Sequence, residues 1–344
     1  MMRLALTFFG LAVLISPAEA LFGILDRDKP IDINPTIQTE ESRPYFEKAV
    51  ASQEKGNYRT ALRNYKKVFT KFPASYYSAQ SLYNTGIIQF NRKNWKDSFG
   101  AFQAILLRHP DYPRFNELVE YQFRIALAQA EGDGVRFMYV FPMRAYNRSI
   151  GYFEVVINNA PYSDMAPLAL MNVALIHQFK GNTAEAIDAL DRLINNYPQS
   201  LLADDAYLSL AETFADLVQG PEYDQGATRE AISYFEDFLI LFSQNQEVAR
   251  AEQGLAGMED VYARSKLVIG QYYFKHRRWY QAAEIFFNEA ITIAPDSPAA
   301  DSAREYIARI EKIREDFKSG TTTESAEGKK EKSFIRRWYE RIVS

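Results

Sequence analysis

KGNYRTALRNYKKVFTKFP, residues 55–73, holds a spacing that the chain repeats. Gly56 is followed by aromatic Tyr58, small Ala61, bulky Tyr65 and finally Phe72-Pro73. The order recurs as Lys93-Asn94-Trp95, Ser98 and Phe102, ending at His109-Pro110. It recurs again as Lys180-Gly181-Asn182-Thr183, Ala186 and Leu190, ending at Tyr197-Pro198. A further copy reads Arg277-Arg278-Trp279, Ala282 and Phe286, ending near Pro295. Two looser copies keep the second half, Ser149 and Phe153 to Pro161, and Ala231 and Phe235 to about Ser243.

Each position has a mechanical reason. Glycine, or a polar residue in its place, ends a first helix in a left-handed turn. The small Ala or Ser lets a second helix approach the first, and the bulky residue one turn later fills the groove beside it. Proline stops the second helix, since it lacks the amide hydrogen and pushes the residue before it out of the helical region. Seven positions ahead of each turn stands another small residue: Ala49, Gly86, Ala174 and Gly270.

This pattern resembles the tetratricopeptide repeat, a helix-turn-helix unit of about 34 residues. The resemblance covers roughly residues 43 to 296. It implies an all-α fold: a right-handed superhelix of about five to six helical hairpins plus a C-terminal capping helix. The third copy departs from the pattern through an insertion from Gly132 to Ala145, and the fifth through a turn lengthened from Gln219 to Gly226. Ala299 to Phe317 reads as the cap, apolar at Ala303, Tyr306, Ile307 and Ile310 and charged elsewhere. Such a polar outer face keeps an open repeat array soluble.

The flanks read differently. Residues 1–20 form a signal peptide: Arg3, an apolar run from Leu4 to Ile15, then Ala18 and Ala20 at a cleavage site before Leu21. The run is well short of the roughly 20 residues that span a bilayer. Residues 21–42, with Pro30 and Pro35 and no sustained period, are expected to be extended, ahead of a repeat array over 43–318. Residues 319–332 contain the linker-like SGTTTESAE, and 333–344 form an amphipathic segment. There Phe334, Ile335, Trp338, Tyr339, Ile342 and Val343 share one face, with Arg336, Arg337, Glu340 and Arg341 opposite.

Composition removes several function classes. None of the 344 residues is cysteine, so they offer no disulfide, thiolate nucleophile or acylated thiol. His109, His177 and His276 stand far apart, so no metal site is expected, and no cofactor is implied. A net charge of −4 without a concentrated basic face gives no case for nucleic acid. Adjacent carboxylates such as Asp204-Asp205 point to different faces, and the Gly132-x-Gly134 pair lacks a strand-helix phosphate cradle. The expectation is a binding protein and not an enzyme.

On the first helices of the first two copies, the positions facing the concave wall are Phe46, Val50, Gln53, Tyr83, Ile87 and Phe90. They read as an exposed row suited to an apolar, aromatic-rich peptide. Two stretches carry a closer likeness, Tyr45 to Pro73 and Val261 to Pro298, the latter reading VYARSKLVIGQYYFKHRRWYQAAEIFFNEAITIAPDSP. With the signal peptide and the proline-containing lead-in, they resemble the BamD family of outer-membrane protein assembly factors. That resemblance implies a periplasmic protein associated with the outer membrane. Its N-terminal repeats would receive unfolded β-barrel proteins, and its C-terminal repeats would dock on the barrel insertase. Members are commonly lipoproteins, and with no cysteine here the tail at Phe334, Ile335, Trp338, Tyr339 and Ile342 is the candidate membrane or partner contact. The other reading is a periplasmic repeat scaffold for a cell-division or secretin-assembly complex.

Overall fold

The structure, a computed structural model, describes residues 34–131 and 143–318. All regular elements among them are helical. They are α1 (Pro35–Glu54), α2 (Tyr58–Lys71), α3 (Tyr76–Asn91), α4 (Trp95–Arg108), α5 (Phe115–Glu131), α6 (Met143–Asn159) and α7 (Met165–Phe179). There follow α8 (Thr183–Asn196), α9 (Ala203–Ala215), α10 (Gly226–Leu241), α11 (Val248–Tyr272), α12 (Tyr280–Ile293) and α13 (Pro298–Lys318). A single π turn, Tyr273–Arg277, follows α11. Successive helices pair α1 with α2, α3 with α4, and so on to α11 with α12, and α13 covers the last hairpin. The fold is therefore the expected all-α array of six hairpins and a cap. It divides between Ser200 and Leu201 into two compact units, one of four hairpins and one of two hairpins with the cap.

The small and bulky residues of the repeat form the core of each hairpin. Ala61 and Tyr65, Ser98 and Phe102, Ala186 and Leu190, and Ala231 and Phe235 are all buried. The small residue does more than make room. Ser98 Oγ donates to the Gly86 carbonyl at 2.9 Å, and Ser149 Oγ donates to that of Ala126 at 2.7 Å. Each hydroxyl thus satisfies itself on the helix it packs against. The second helices end as their prolines require. Phe72, His109 and Tyr197, each preceding a proline, have φ near −130°.

The last hairpin corrects the spacing read from the sequence. Its buried pair is Ala283 and Phe287, not Ala282 and Phe286. The π turn is the cause. It adds one residue between Gly270 and the left-handed position, which Arg278 occupies with φ 50°. The same position is held by Gly56 at 73° and Gly181 at 72°. Phe286 instead stacks on Tyr273, with ring centroids 5.5 Å apart.

The start of the array is corrected too. The helix begins at Pro35, inside the segment expected to be extended up to residue 42. Asn34 caps it by accepting from the Thr36 amide at 3.0 Å, and proline at the first position costs no hydrogen bond. Its first turns are tied to the loop between α2 and α3. Gln38 accepts from the Ala74 amide at 2.8 Å, Thr39 from the Tyr76 amide at 3.0 Å, and the Ser42 and Ser75 hydroxyls lie 2.6 Å apart.

The long turn before α10 is closed by Gln225, whose side-chain amide donates to the carbonyls of Gly220 and Tyr223. At the C-terminal end, Ala303 and Ile310 of α13 are buried and Tyr306 stacks on Phe287 at 5.0 Å. The signal segment with Ala18 and Ala20, most of the insertion after Gly132, and the tail at Phe334, Ile335, Trp338, Tyr339 and Ile342 lie outside the described residues.

Candidate partner-binding surface

Two concave features in the first three hairpins stand out among the described residues. The larger is a cleft of about 1130 Å³ where the N-terminal turns of α1 and α3 meet the loop between α4 and α5. Phe46 and Tyr77 form an aromatic wall, stacked at 4.6 Å with an interplanar angle of 21°. Tyr76 stands edge-on to Tyr77 at 5.5 Å and is 80% exposed at the rim. The opposite side comes from His109, Tyr112 and Arg114. Repetition places these groups together: loops some 37 residues apart in sequence become neighbours because, within this first unit, each hairpin packs on the one before it.

The charged side of the cleft is held in place by Tyr83. Its hydroxyl donates to Glu117 at 2.5 Å and accepts from Arg114 at 3.1 Å, and the Arg114 guanidinium lies 4.9 Å from the Tyr83 ring. Burial first, and the Glu117 carboxylate second, push the Tyr83 hydroxyl up to about 12. It therefore stays protonated as a donor throughout the physiological range. Tyr112 Oη reaches Gln80 at 3.3 Å and fixes the loop. Burial, with a smaller contribution from Arg108, lowers the pKa of His109, which faces the Ser78 hydroxyl at 3.3 Å.

The smaller pocket, about 530 Å³, lies between α1 and α3. Its floor is polar: Tyr65 Oη donates to Gln53 at 2.8 Å and accepts from Asn84 at 3.0 Å. Val50 and Ile87 supply its apolar side, and Glu54 and Arg92 its charges.

The six residues read from the sequence are divided among three settings. Phe46 lines the cleft, while Val50, Gln53 and Ile87 line the smaller pocket. Tyr83 and Phe90 correct the expectation of an exposed row. Tyr83 is only 8% exposed, and Phe90 is held between Trp95 at 5.4 Å and Tyr121 at 5.0 Å. The reason is α5, whose Glu117 and Tyr121 cover that stretch of α3. Sequence reading missed Tyr76, Tyr77 and Arg114. Their signal was the pair of loops PASYY and PDYPR, in which aromatic residues stand two to four positions after helix-stopping prolines.

None of these groups forms a nucleophile-base pair, and among the described residues no group of three His, Asp or Glu side chains could hold a metal ion. No described helix is long and apolar enough to cross a membrane. Helical hairpins with one small-bulky register, opening on clefts lined by aromatic and charged side chains, define a tetratricopeptide-type repeat protein. A tetratricopeptide repeat model matches residues 46–113. The chain belongs to the YfiO outer membrane lipoprotein family, whose model matches residues 142–320.

A stretch of 131 residues is 25% identical to the outer membrane protein assembly factor BamD of Caulobacter vibrioides, covering 38% of this chain and 43% of that protein. The match thus spans less than half the length of that relative. Among solved structures, a tetratricopeptide repeat protein from Parabacteroides merdae is 13% identical over 79% of this chain and 99% of its own, with a TM-score of 0.30. A thermophilic repeat protein from Thermus thermophilus is 12% identical over 62% of this chain and 98% of its own, also with a TM-score of 0.30.

Proposed function

We propose that the chain is a periplasmic component of the outer-membrane β-barrel assembly machinery, binding unfolded barrel proteins and docking on the barrel insertase. Membership of the outer membrane lipoprotein family and the likeness to an assembly factor support the setting. The single observation that carries the binding role is the cleft around Phe46, Tyr77 and Arg114.

Its chemistry fits one end of an extended chain. Stacked rings offer a flat apolar wall to an aromatic side chain. A guanidinium at the rim, already oriented by Tyr83 and Glu117, offers charge-assisted hydrogen bonds to a carboxylate. A segment ending in an aromatic residue with a free C-terminus presents both groups. The second unit would then hold the insertase. The tail at Phe334, Ile335, Trp338, Tyr339 and Ile342 is the proposed additional membrane or partner contact, since none of the 344 residues is a cysteine that could be acylated.

Depletion in the native host tests this reading. A broad fall in outer-membrane barrel proteins is expected. Unchanged barrel levels alongside a specific defect in division or secretin assembly would favour the scaffold reading instead.

A further inference from the structure

The tip of the last hairpin is locally basic. Residues 261–283 contain five Lys and Arg and no Asp or Glu, in a chain of net charge −4. Lys275, His276, Arg277 and Arg278 follow one another across the turn, and all four are exposed. On either side of them stand exposed aromatic residues, Tyr272 at 45% and Trp279 at 51%. Four carboxylates of the flanking helices pair with cations outside the run Lys275–Arg278: Glu284 with Arg314, Glu289 with Lys266, Asp260 with Arg264 and Glu305 with Arg309.

The backbone here is irregular in two ways. The π turn Tyr273–Arg277 inserts one residue, and Arg278 takes the left-handed conformation that glycine takes in two other hairpins. π turns are frequent at functional sites, and a strained backbone persists only where its surroundings hold it. The surroundings are visible. The Trp279 amide donates to the Tyr273 carbonyl at 3.1 Å, and the Trp279 ring meets Tyr273 edge-on at 5.8 Å. Arg277 is braced by Tyr272, its Nε donating to the phenol oxygen at 3.0 Å. The consequence is an exposed knuckle whose cations and indole all reach solvent.

We infer that this knuckle rests on an anionic phospholipid surface. A protein partner that recognised Trp279 would need a pocket to receive it, whereas a bilayer interface takes amphipathic rings and cations together on an exposed turn. Indole and phenol rings settle at headgroup depth, and each Lys or Arg near an anionic leaflet adds about 1 kcal/mol of attraction. The inference is independent of which proteins the clefts hold.

Co-sedimentation of the full chain with vesicles tests it. The chain should bind phosphatidylcholine vesicles containing about one third phosphatidylglycerol and not phosphatidylcholine alone. Binding should weaken with added salt. The double variant Lys275→Gln, Arg277→Gln should bind roughly thirtyfold more weakly, because two cations are lost. Lys275→Arg with Arg277→Lys should bind as the parent does, and matched melting curves exclude misfolding as the cause. Wild-type binding by the glutamine variant overturns the inference and assigns the lipid contact elsewhere, the tail being the first candidate. A photo-cross-linker at position 279 that captures protein and no lipid from native envelopes also overturns it.

Discussion

Gly86 and Phe102 touch so closely that no side chain fits between them. A Cβ built on Gly86 would lie 2.4 Å from the Phe102 ring. The ring is fully buried and stacked on Tyr121 at 5.1 Å, so it has nowhere to move. Gly86→Ala should therefore destabilise the fold by about 1–3 kcal/mol, the usual penalty of overpacking, although alanine favours an isolated helix by about 1 kcal/mol. Urea unfolding measures the balance. A stabilised variant would mean that α3 and α4 are less tightly apposed than described.

The extra residue of the π turn makes a second prediction. Phe287 is fully buried, whereas Phe286 is half-buried on Tyr273. Phe287→Ala should cost about 3–5 kcal/mol. Phe286→Ala should cost clearly less, because part of its surface already meets water. The reverse order would restore the regular repeat spacing and remove the π turn.

How much of this was legible beforehand follows from these residues. The pairs Ala61 with Tyr65 and Ser98 with Phe102 could be read directly, because packing demands the same spacing in each copy. The shift to Ala283 and Phe287 could not. One added helical residue leaves no mark in a run as apolar as AAEIFF. The start of α1 was half legible. Asn34-Pro35 is a helix-start signal, but Pro30 and Pro35 with no sustained period argued for an extended segment. The tie from Gln38 to Ala74, which spans 36 positions, has no local trace. The cleft was hidden for a similar reason. It is built from loops and not from the helical faces on which periodicity can be read.

Acidification should weaken the fold through its histidines. Burial is the main cause lowering the pKa of both His109 and His177 in the folded chain. Their ordinary value is 6.5, so just below it the unfolded chain binds more protons than the folded one. Their contribution is complete above that pH and is lost as the pH falls from 6.5 toward the lower folded values. Melting temperature should drop between pH 7.5 and 5.5, and His109→Gln with His177→Gln should reduce the drop. An equal drop in the variant would assign the effect to carboxylates.

The most direct measurement on the central claim is peptide binding to the cleft, followed by fluorescence anisotropy. A labelled peptide ending in an aromatic residue with a free carboxylate should bind. Its amidated form, and the Arg114→Gln variant with the free acid, should each bind about tenfold more weakly, the scale of one charge-assisted hydrogen bond. Phe46→Ala should weaken both forms of the peptide alike, because it removes only the aromatic wall. Equal affinity for the acid and the amide, unchanged by Arg114→Gln and Phe46→Ala, would contradict the cleft as the site where this chain holds its substrates.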